Sequence, residues 1–253
     1  MTGPTLSIVI SVHNEEARLD HCLKHLDFGD ELVVLLDKCT DGSRDIAAGY
    51  TDRLIDGAWE IEGDRRNAGI EACQCDWILE VDADETVGAE LAAEIRQVIA
   101  ATSFDWHEIP VDNHIGNRLV RHGWGASFGK AAYPGLFRRG VKKWARQRVH
   151  PSLEWSGRKG PMLKVRLRHD VDKNISSMIR RLDNYSTARA RDLRDAGETW
   201  GSTAGNVRRL FSRFFKCYIS RKGYREGGYG FLIAVFAGMY PLMSHLKARL
   251  EKE

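Results

Sequence analysis

The sequence is poor in proline and lacks the cysteine patterns of disulfide-rich or zinc-binding proteins. Its 253 residues include 6 prolines and 5 cysteines, an odd number without a CxxC pair or a Cys/His spacing that fits zinc. We therefore expect reduced thiols. The first residues also lack the basic start and long apolar core of a signal peptide, so we expect a cytoplasmic protein.

Long apolar runs are absent with one exception. Residues 229–246 contain no Asp, Glu, Lys or Arg, but this run of 18 residues is shorter than the roughly 20 that a spanning helix needs. It also contains Gly238 and Pro241. Two interpretations stay open: a buried C-terminal helix that is broken at Pro241, or a segment that contacts a membrane from one side.

The net charge is only +3, but the charges are unevenly distributed. Residues 1–100 carry 8 basic and 22 acidic side chains, whereas residues 101–253 carry 30 basic and 13 acidic ones. This division predicts an anionic partner for the second half. A phosphorylated lipid-linked saccharide, an anionic membrane surface and nucleic acid all qualify, and the lack of any recognised nucleic-acid-binding motif disfavours the third.

Strand and helix patterns alternate through the first 101 residues. Apolar segments predict buried strands at residues 6–12, 31–36, 53–55 and 77–81, and helical patterns follow them at about residues 13–26, 43–50, 64–73 and 89–101. The alternation predicts an α/β fold with a mostly parallel sheet flanked by helices. Two basic amphipathic segments, near residues 175–185 and 204–219, predict a helical C-terminal extension.

Two aspartates follow the fourth predicted strand. Asp82 and Asp84 come directly after residues 77–81, at the carboxyl end of a strand, where α/β sheets bind ligands. Two carboxylates this close repel each other unless a cation lies between them, and Mg²⁺ and Mn²⁺ prefer carboxylates together with substrate phosphates. The pattern alone is common, and an acidic turn before the helix near Gly88 is the alternative.

Three further motifs accompany this pair. The first strand ends in VHNEE (residues 12–16), the second in DKCTDGS (residues 37–43), and the helix before Asp82 carries RRNAG (residues 65–69). In this order, the motifs resemble the nucleotide-sugar half of family 2 glycosyltransferases, which have the GT-A fold. The resemblance covers about the first 100 residues and implies a nucleotide-sugar donor and a divalent metal, Mn²⁺ or Mg²⁺.

The resemblance also implies roles for individual residues. It places Glu15 and Asp37 near the base and ribose of the donor, and Arg66 and Asn67 near the diphosphate. It places Asp82 and Asp84 at the metal, and Asp82 also contacts the donor. One departure concerns the ribose contact, because Leu36 stands where the family has a second acidic residue.

The second half resembles one branch of this family, the lipopolysaccharide core glucosyltransferases. The motifs are RHGW (residues 121–124), LFRRG (residues 136–140), Val-His at residues 149–150 and RLRH (residues 166–169). The branch moves a sugar, often glucose, onto a lipid-linked saccharide at the cytoplasmic face of the inner membrane. The resemblance implies that His169 is a third metal ligand.

Direct displacement at a sugar also needs a general base for the acceptor hydroxyl. The branch has Glu after the His of its Val-His pair, whereas Pro151 follows His150 here. Glu154, His150 and Asp112 are therefore the candidates, and a structural role is the alternative for each.

Together the patterns predict an inverting hexosyltransferase, peripheral at the inner membrane, that moves glucose from UDP-glucose to a phosphorylated lipid-linked saccharide such as the lipopolysaccharide inner core. We expect residues 1–101 to bind the donor, residues 102–172 to form the acceptor side of the same domain, and residues 173–253 to associate with the membrane. Two alternatives stay open: a transferase for another envelope glycolipid or polysaccharide, and a non-catalytic membrane- or nucleic-acid-binding protein on a decayed transferase fold.

Overall fold

The computed structural model describes residues 3–125, 128–146, 148, 152–196 and 201–251. In chain order, its elements are β1 (Leu6–Val12), α1 (Glu16–Leu23), β2 (Glu31–Asp37), α2 (Ser43–Ala48), β3 (Leu54–Gly57), α3 (Glu62–Ala72), β4 (Trp77–Asp82), β5 (Glu85–Thr86), α4 (Ala89–Ala101), β6 (Trp106–Ile115), β7 (Arg118–Val120), β8 (Ala132–Arg138), β9 (Lys142–Trp144), β10 (Leu153–Trp155), β11 (Leu167–Asp172), α5 (Ile175–Asp195), α6 (Thr203–Phe215) and α7 (Gly228–Leu250). A π-helical turn at Lys216–Ser220 continues α6, and a short 3-10 helix follows at Gly223–Glu226. The strands and helices predicted for the first 101 residues are confirmed to within a few residues at each end.

The chain forms two compact units that interleave along the sequence. Unit 1 comprises residues 1–111, 132–147 and 151–169, and unit 2 comprises residues 112–131, 148–150 and 170–253. β6 and β11 each begin in unit 1 and end in unit 2. These boundaries differ from the predicted divisions after residues 101 and 172, and the assignment of donor and acceptor halves stays a prediction.

Unit 1 contains the sheet that the alternation predicted. β1 lies between β2 and β4 and is parallel to both, and β3 is parallel to β2. β8 then pairs antiparallel with β4 and with β6, and β5 pairs antiparallel with β11. The sheet is therefore parallel where strands and helices alternate and mixed beyond α4.

Both faces of the parallel strands are buried. Ile8 and Ile10 of β1 pack into a cluster with residues of α1 and α4, whereas Val9 between them packs on the other face with Ile70 of α3. Two-sided burial requires continuous apolar strands, so charged side chains collect at the strand ends. Glu80, buried in the middle of β4, is the exception considered below.

In unit 2, α5 and α7 pack around a core that includes Met178, Leu182, Ile233 and Phe236. α5 begins with a capping box in which the Asn174 side chain accepts a hydrogen bond from the backbone N–H of Ser177. This cap and the apolar stripe confirm the predicted amphipathic helix.

The apolar run at residues 229–246 lies within α7, which is continuous through Pro241. The predicted break at Pro241 is therefore wrong. Proline removes one backbone hydrogen bond, and the packing of α7 against α5 and α6 keeps the helix intact despite this loss. α7 is long and apolar enough to cross a membrane by length and composition, and half of its most apolar stretch is buried within the protein.

Candidate active site

The loops after β1 and β2 are tied together at the carboxyl edge of the unit 1 sheet. Asn14 has a left-handed backbone, with φ of 55°, and its Oδ1 accepts a hydrogen bond from the backbone N–H of Thr40 at 2.8 Å. The backbone N–H of Glu15 donates to Ser43 Oγ at 2.9 Å. The first two predicted motifs are therefore neighbours, as parallel strands require.

Arg18 links Glu15 to the second aspartate of the Asp-Ala-Asp motif. Its Nη2 donates to Glu15 Oε1 at 3.0 Å, and its Nη1 lies 3.8 Å from Asp84 Oδ2. The Arg18 side chain is 39 % exposed, so an anionic ligand can reach it. The structure thus joins carboxylates from the β1 and β4 ends through a cation that the sequence motifs do not include.

Asp37 is buried at the end of β2, and both of its carboxylate oxygens have partners. Oδ1 accepts a hydrogen bond from the backbone N–H of Trp59, and Oδ2 accepts one from Arg65 Nη1, each at 3.1 Å. In this structure Asp37 therefore holds the segment that leads into α3. Its predicted contact with the donor ribose stays a prediction.

Asp84 and His169 lie side by side, although they are 85 positions apart in the sequence. His169 Nε2 is 3.4 Å from Asp84 Oδ2, and β11 carries His169 into register with Glu85 of β5. Burial alone would raise the pKa of Asp84, but the charge of His169 and its hydrogen bond outweigh burial and lower that pKa. Asp84 is consequently held in its ionised form, which is the form that binds cations.

Arg66 of α3 contacts the first aspartate of the motif. Its Nη2 donates to Asp82 Oδ1 at 3.2 Å, and its Nε donates to Glu62 Oε1 at 2.9 Å. Burial would lower the pKa of Arg66, but the neighbouring carboxylates of Asp82, Glu62 and Glu80 raise it well above its ordinary value. Arg66 is therefore a fixed cation beside the Asp-Ala-Asp turn.

Asn67, the next residue on α3, has a different set of partners. Its side-chain Nδ2 donates to the carbonyl of Trp144 at 2.8 Å, and its Oδ1 accepts from the backbone N–H of Trp144 at 2.9 Å. The Asn67 amide thus pairs with β9 as a neighbouring strand would. These hydrogen bonds do not test the predicted contact of Asn67 with the diphosphate, which stays a prediction.

A buried ion pair between Lys142 and Glu80 lies next to Trp144 and Arg66. Lys142 of β9 donates to the Glu80 carboxylate, and the Trp144 indole N–H donates to Glu80 Oε1 at 3.0 Å. The Lys142 ammonium lies 4.7 Å from the ring centre of Phe137 and 4.5 Å from that of Trp144. Arg66 in turn lies 5.1 Å from the Trp144 ring centre, so the enclosed pair helps to orient Arg66 toward Asp82.

The side chains of Asp82, Asp84 and His169 are of the types that bind a divalent cation. Two carboxylates and one imidazole are ligands that Mn²⁺ accepts, and the ionised state of Asp84 suits this role. Within the described parts of the chain, however, no three His, Cys, Asp or Glu side chains are grouped closely enough to hold a metal ion. In this structure the Asp82 carboxylate faces Arg66, and the Asp84 carboxylate faces His169 and Arg18. The residue types therefore suit a divalent cation, but these side chains are paired with protein cations and are not arranged around a metal position.

The three base candidates have different surroundings. Glu154 of β10 is exposed and lines a cleft of about 500 Å³ in unit 1, together with residues of α3 and β9. Asp112 belongs to unit 2, where it receives two hydrogen bonds from Arg121, at 3.0 and 3.1 Å. His150 lies outside the described residues. None of the three assignments is tested by this geometry.

Sequence reasoning missed Arg18, Glu80 and Lys142. Arg18 follows Glu15 by three positions, which is one helical turn, and this spacing was an available signal. Glu80 is an acid in the interior of the apolar strand WILEVD, which ends at Asp82, and a buried acid in such a strand requires a partner. Lys142 had no comparable signal, because the partner lies 62 positions away.

Comparisons with known proteins agree with this geometry. Residues 7–125 match the family described as Glycosyl transferase family 2. A lipopolysaccharide core biosynthesis glycosyltransferase, LpsC of Rhizobium meliloti (strain 1021), is 24 % identical over 96 % of this chain and 91 % of its own length. An uncharacterized glycosyltransferase of Rickettsia typhi is 30 % identical, but over only 40 % of this chain and 35 % of its own length.

Two solved structures share the fold at low identity. S. aureus TarS 1-349, in complex with UDP-GlcNAc, has a TM-score of 0.54 at 12 % identity and covers 94 % of this chain and 81 % of that one. The mannosyltransferase PcManGT from Pyrobaculum calidifontis, in complex with GDP-Man and Mn²⁺, has a TM-score of 0.52 at 14 % identity and covers 100 % and 89 %. The fold is thus GT-A-like, and residues 7–125 are similar to glycosyltransferase family 2.

Proposed function

We propose that this protein is an inverting, metal-dependent hexosyltransferase that moves glucose from UDP-glucose to a phosphorylated, lipid-linked saccharide such as the lipopolysaccharide inner core. One observation carries the proposal: Glu15 and Arg18 from the β1 end, Asp84 from the β4 end and His169 from β11 meet at the edge where such sheets bind ligands. The similarity to LpsC along nearly the whole chain supports the class of acceptor.

The proposed reaction is a single displacement. The acceptor hydroxyl oxygen attacks the anomeric carbon while the bond from that carbon to the diphosphate oxygen breaks, and the nucleoside diphosphate leaves with the electron pair. The hydroxyl proton passes to a general base, for which Glu154, His150 and Asp112 are the candidates. Because attack and departure occur on opposite faces of the sugar, the anomeric configuration inverts.

The residues at the sheet edge would bind the donor through charge. Arg18 and Arg66, which face carboxylates here, would provide charge-assisted hydrogen bonds to the diphosphate. Asp82, Asp84 and His169 would hold Mn²⁺ or Mg²⁺, whose charge neutralises the leaving diphosphate. PcManGT, which has a similar fold, is in complex with GDP-Man and Mn²⁺, and this supports the proposal of a nucleotide-sugar donor and a divalent metal.

Release of nucleoside diphosphate from a panel of nucleotide sugars, with Mn²⁺, Mg²⁺ or a chelator, tests the proposed donor. We expect turnover with UDP-glucose that needs the metal and that falls at least about 100-fold in Asp84→Asn. Glu90→Gln, which neutralises an exposed acid on α4, is the matched control and should retain activity. No turnover with any sugar, with or without acceptor, would reject the proposed reaction.

The acceptor needs a separate assay. Truncated lipopolysaccharide cores, with and without their phosphate groups, should be compared with an undecaprenyl-linked saccharide under the same donor conditions. Transfer to the phosphorylated core is the expected result. Preferred transfer to the undecaprenyl acceptor would instead support a transferase for another envelope glycan. Both acceptors are membrane lipids, so we place the enzyme at the cytoplasmic face of the inner membrane.

A further inference from the structure

Unit 2 exposes large apolar side chains along one helical line. Val207, Phe211, Phe215 and Ile219 follow each other at intervals of four residues through α6 and the π-helical turn, and they are 38, 57, 57 and 53 % exposed. Residues four apart lie on the same face of a helix. The four side chains therefore form one apolar stripe that is open to solvent.

Aromatic rings extend this stripe into a continuous surface. The Phe214 ring lies 5.7 Å from that of Phe215 and 5.8 Å from that of Phe231, and the Tyr218 ring lies 6.5 Å from that of Tyr224. Phe231 is 48 % and Tyr224 is 50 % exposed. We call the six exposed side chains the α6 patch: Val207, Phe211, Phe215, Ile219, Tyr224 and Phe231.

The exposed charges within residues 201–231, the segment that carries the α6 patch, have one sign. Residues 201–231 contain seven basic side chains and one acidic one. The acid, Glu226, is buried, where it accepts hydrogen bonds from the backbone N–H groups of Arg121 and His122. The exposed charges are all positive: Arg208, Arg209, Lys216, Lys222 and Arg225. The solvent-facing surface of this segment is therefore apolar and cationic.

We propose that the α6 patch docks on an anionic phospholipid bilayer, with its aromatic and aliphatic side chains in the headgroup region and its basic side chains against lipid phosphates. A contiguous exposed apolar surface marks an interaction site, and flanking cations without exposed acids match an anionic lipid surface. Phe and Tyr side chains suit the boundary between headgroups and acyl chains.

Apart from Phe231, this surface differs from the charge-free run at residues 229–246 that first pointed to a membrane. That run lies in α7, whose side chains Ile233, Phe236 and Tyr240 are buried in the core of unit 2. Lys247 of the same helix donates to Asp183 at 2.6 Å and to Thr187 at 2.7 Å, which anchors α7 to α5. Most of α7 thus supports the patch from inside the protein, and the contact is provided by α6 and the π-helical turn together with Tyr224 and Phe231.

The inference deepens the proposed function, on which it rests for a lipid-linked acceptor. Flotation with vesicles of phosphatidylglycerol and phosphatidylcholine, compared with phosphatidylcholine alone, tests it on the full-length protein. We expect flotation with the anionic vesicles that weakens with salt. Arg208→Gln/Arg209→Gln should partition about 30-fold more weakly, from about 1 kcal/mol for each basic side chain.

The apolar part has its own variant and a matched control. Phe211→Ser/Phe215→Ser should lower partitioning at least about tenfold. Ile175→Ser/Ile179→Ser changes two exposed apolar residues four apart on α5, which are 45 and 52 % exposed, and should float like the wild type. Circular dichroism of every variant verifies folding, and these changes lie on the surface.

Three results would overturn the proposal: no flotation of the wild type at low salt, equal flotation with neutral vesicles, or unchanged flotation of the Phe211/Phe215 variant. If the wild type is instead a dimer that this variant converts to a monomer, the α6 patch belongs to a second copy of the chain and the proposal also fails. Nucleotide release should also be measured without vesicles in the same preparations. This measurement tests the proposed reaction by itself, so that failure of the reaction can be told apart from failure of membrane docking. A variant that loses flotation but keeps nucleotide release supports the docking surface.

Discussion

The Lys142 ammonium donates a hydrogen bond to the carboxylate of Glu80 inside unit 1, and only 1 % of the Lys142 side chain and 7 % of the Glu80 side chain are exposed. Burial lowers the pKa of Lys142, and the Glu80 charge opposes that shift. Because Trp144 contacts both residues of this pair and also Arg66, the pair connects β4 and β9 to the candidate donor site.

Loss of one partner of this pair should destabilise the fold strongly. Lys142→Met leaves the Glu80 charge buried without its ammonium, so we expect the free energy of unfolding to fall by about 3–5 kcal/mol. Urea denaturation followed by circular dichroism measures this change. The double variant Glu80→Gln/Lys142→Met removes the uncompensated charge and should recover much of the loss. Equal losses in the single and double variants would contradict the pairing.

Arg18 should contribute to donor binding. It reaches both Glu15 and Asp84, so Arg18→Gln removes the cation shared by these two carboxylates. A hydrogen bond to a charged group contributes about 1.5–3 kcal/mol, which predicts an increase in donor KM of about 10- to 100-fold. Nucleotide-release kinetics measure it, with the exposed Arg139→Gln as the control. If the Arg18→Gln and Arg139→Gln variants have the same donor KM, Arg18 does not contribute to donor binding.

Asn67 offers a test between a structural and a ligand-binding role. Asn67→Ala removes both hydrogen bonds to the Trp144 backbone, so we expect a loss of about 1–3 kcal/mol in the free energy of unfolding. Glu71→Ala, on the exposed surface of α3, is the control for a change in helix propensity. If Asn67 instead contacts the diphosphate, the donor KM will rise while stability changes little.

The parallel part of the fold could be predicted from the sequence because its strands are buried on both faces. Such strands must be largely apolar and free of charge in their interior, as in Leu6–Val12, and their charged residues must stand at the ends. Asp82, the last residue of β4, and Asp84 were therefore visible as a candidate ligand site, which stays a prediction. The same rule makes Glu80 an anomaly inside β4, and its burial shows that it needed an internal partner.

Beyond residue 101 the physical signals are weaker. β7, β9 and β10 are three residues each, which is too short to show a period, and β6 is paired by strands that follow it at different distances in the chain. The contact of His169 with Asp84 depends on the pairing of β11 with β5, which local sequence does not encode. Only the family resemblance pointed to His169, and its role as a metal ligand stays a prediction.

The cysteines should differ in reactivity toward alkylation. Burial, assisted by the Glu31 charge, raises the pKa of the Cys73 thiol to about 12, so little thiolate forms at mildly alkaline pH. Cys75, two residues further, is only partly buried. We expect iodoacetamide to label Cys75 of the native protein well before Cys73, and all five cysteines in urea, as read by peptide mass spectrometry. Equal native labelling of Cys73 and Cys75 would contradict the burial of Cys73.

The contact between α6 and α7 should depend on the absence of a side chain at Gly238. A Cβ atom at this position would lie 2.6 Å from the backbone carbonyl oxygen of Leu210, closer than carbon and oxygen can approach without movement of a helix. Gly238→Ala should therefore cost about 1–3 kcal/mol in the free energy of unfolding, although alanine favours the helix by up to about 1 kcal/mol. Gly228→Ala in the first turn of α7 meets no atom within 4 Å and should leave stability unchanged or raise it. If both variants gain stability, α6 and α7 do not pack this closely in solution.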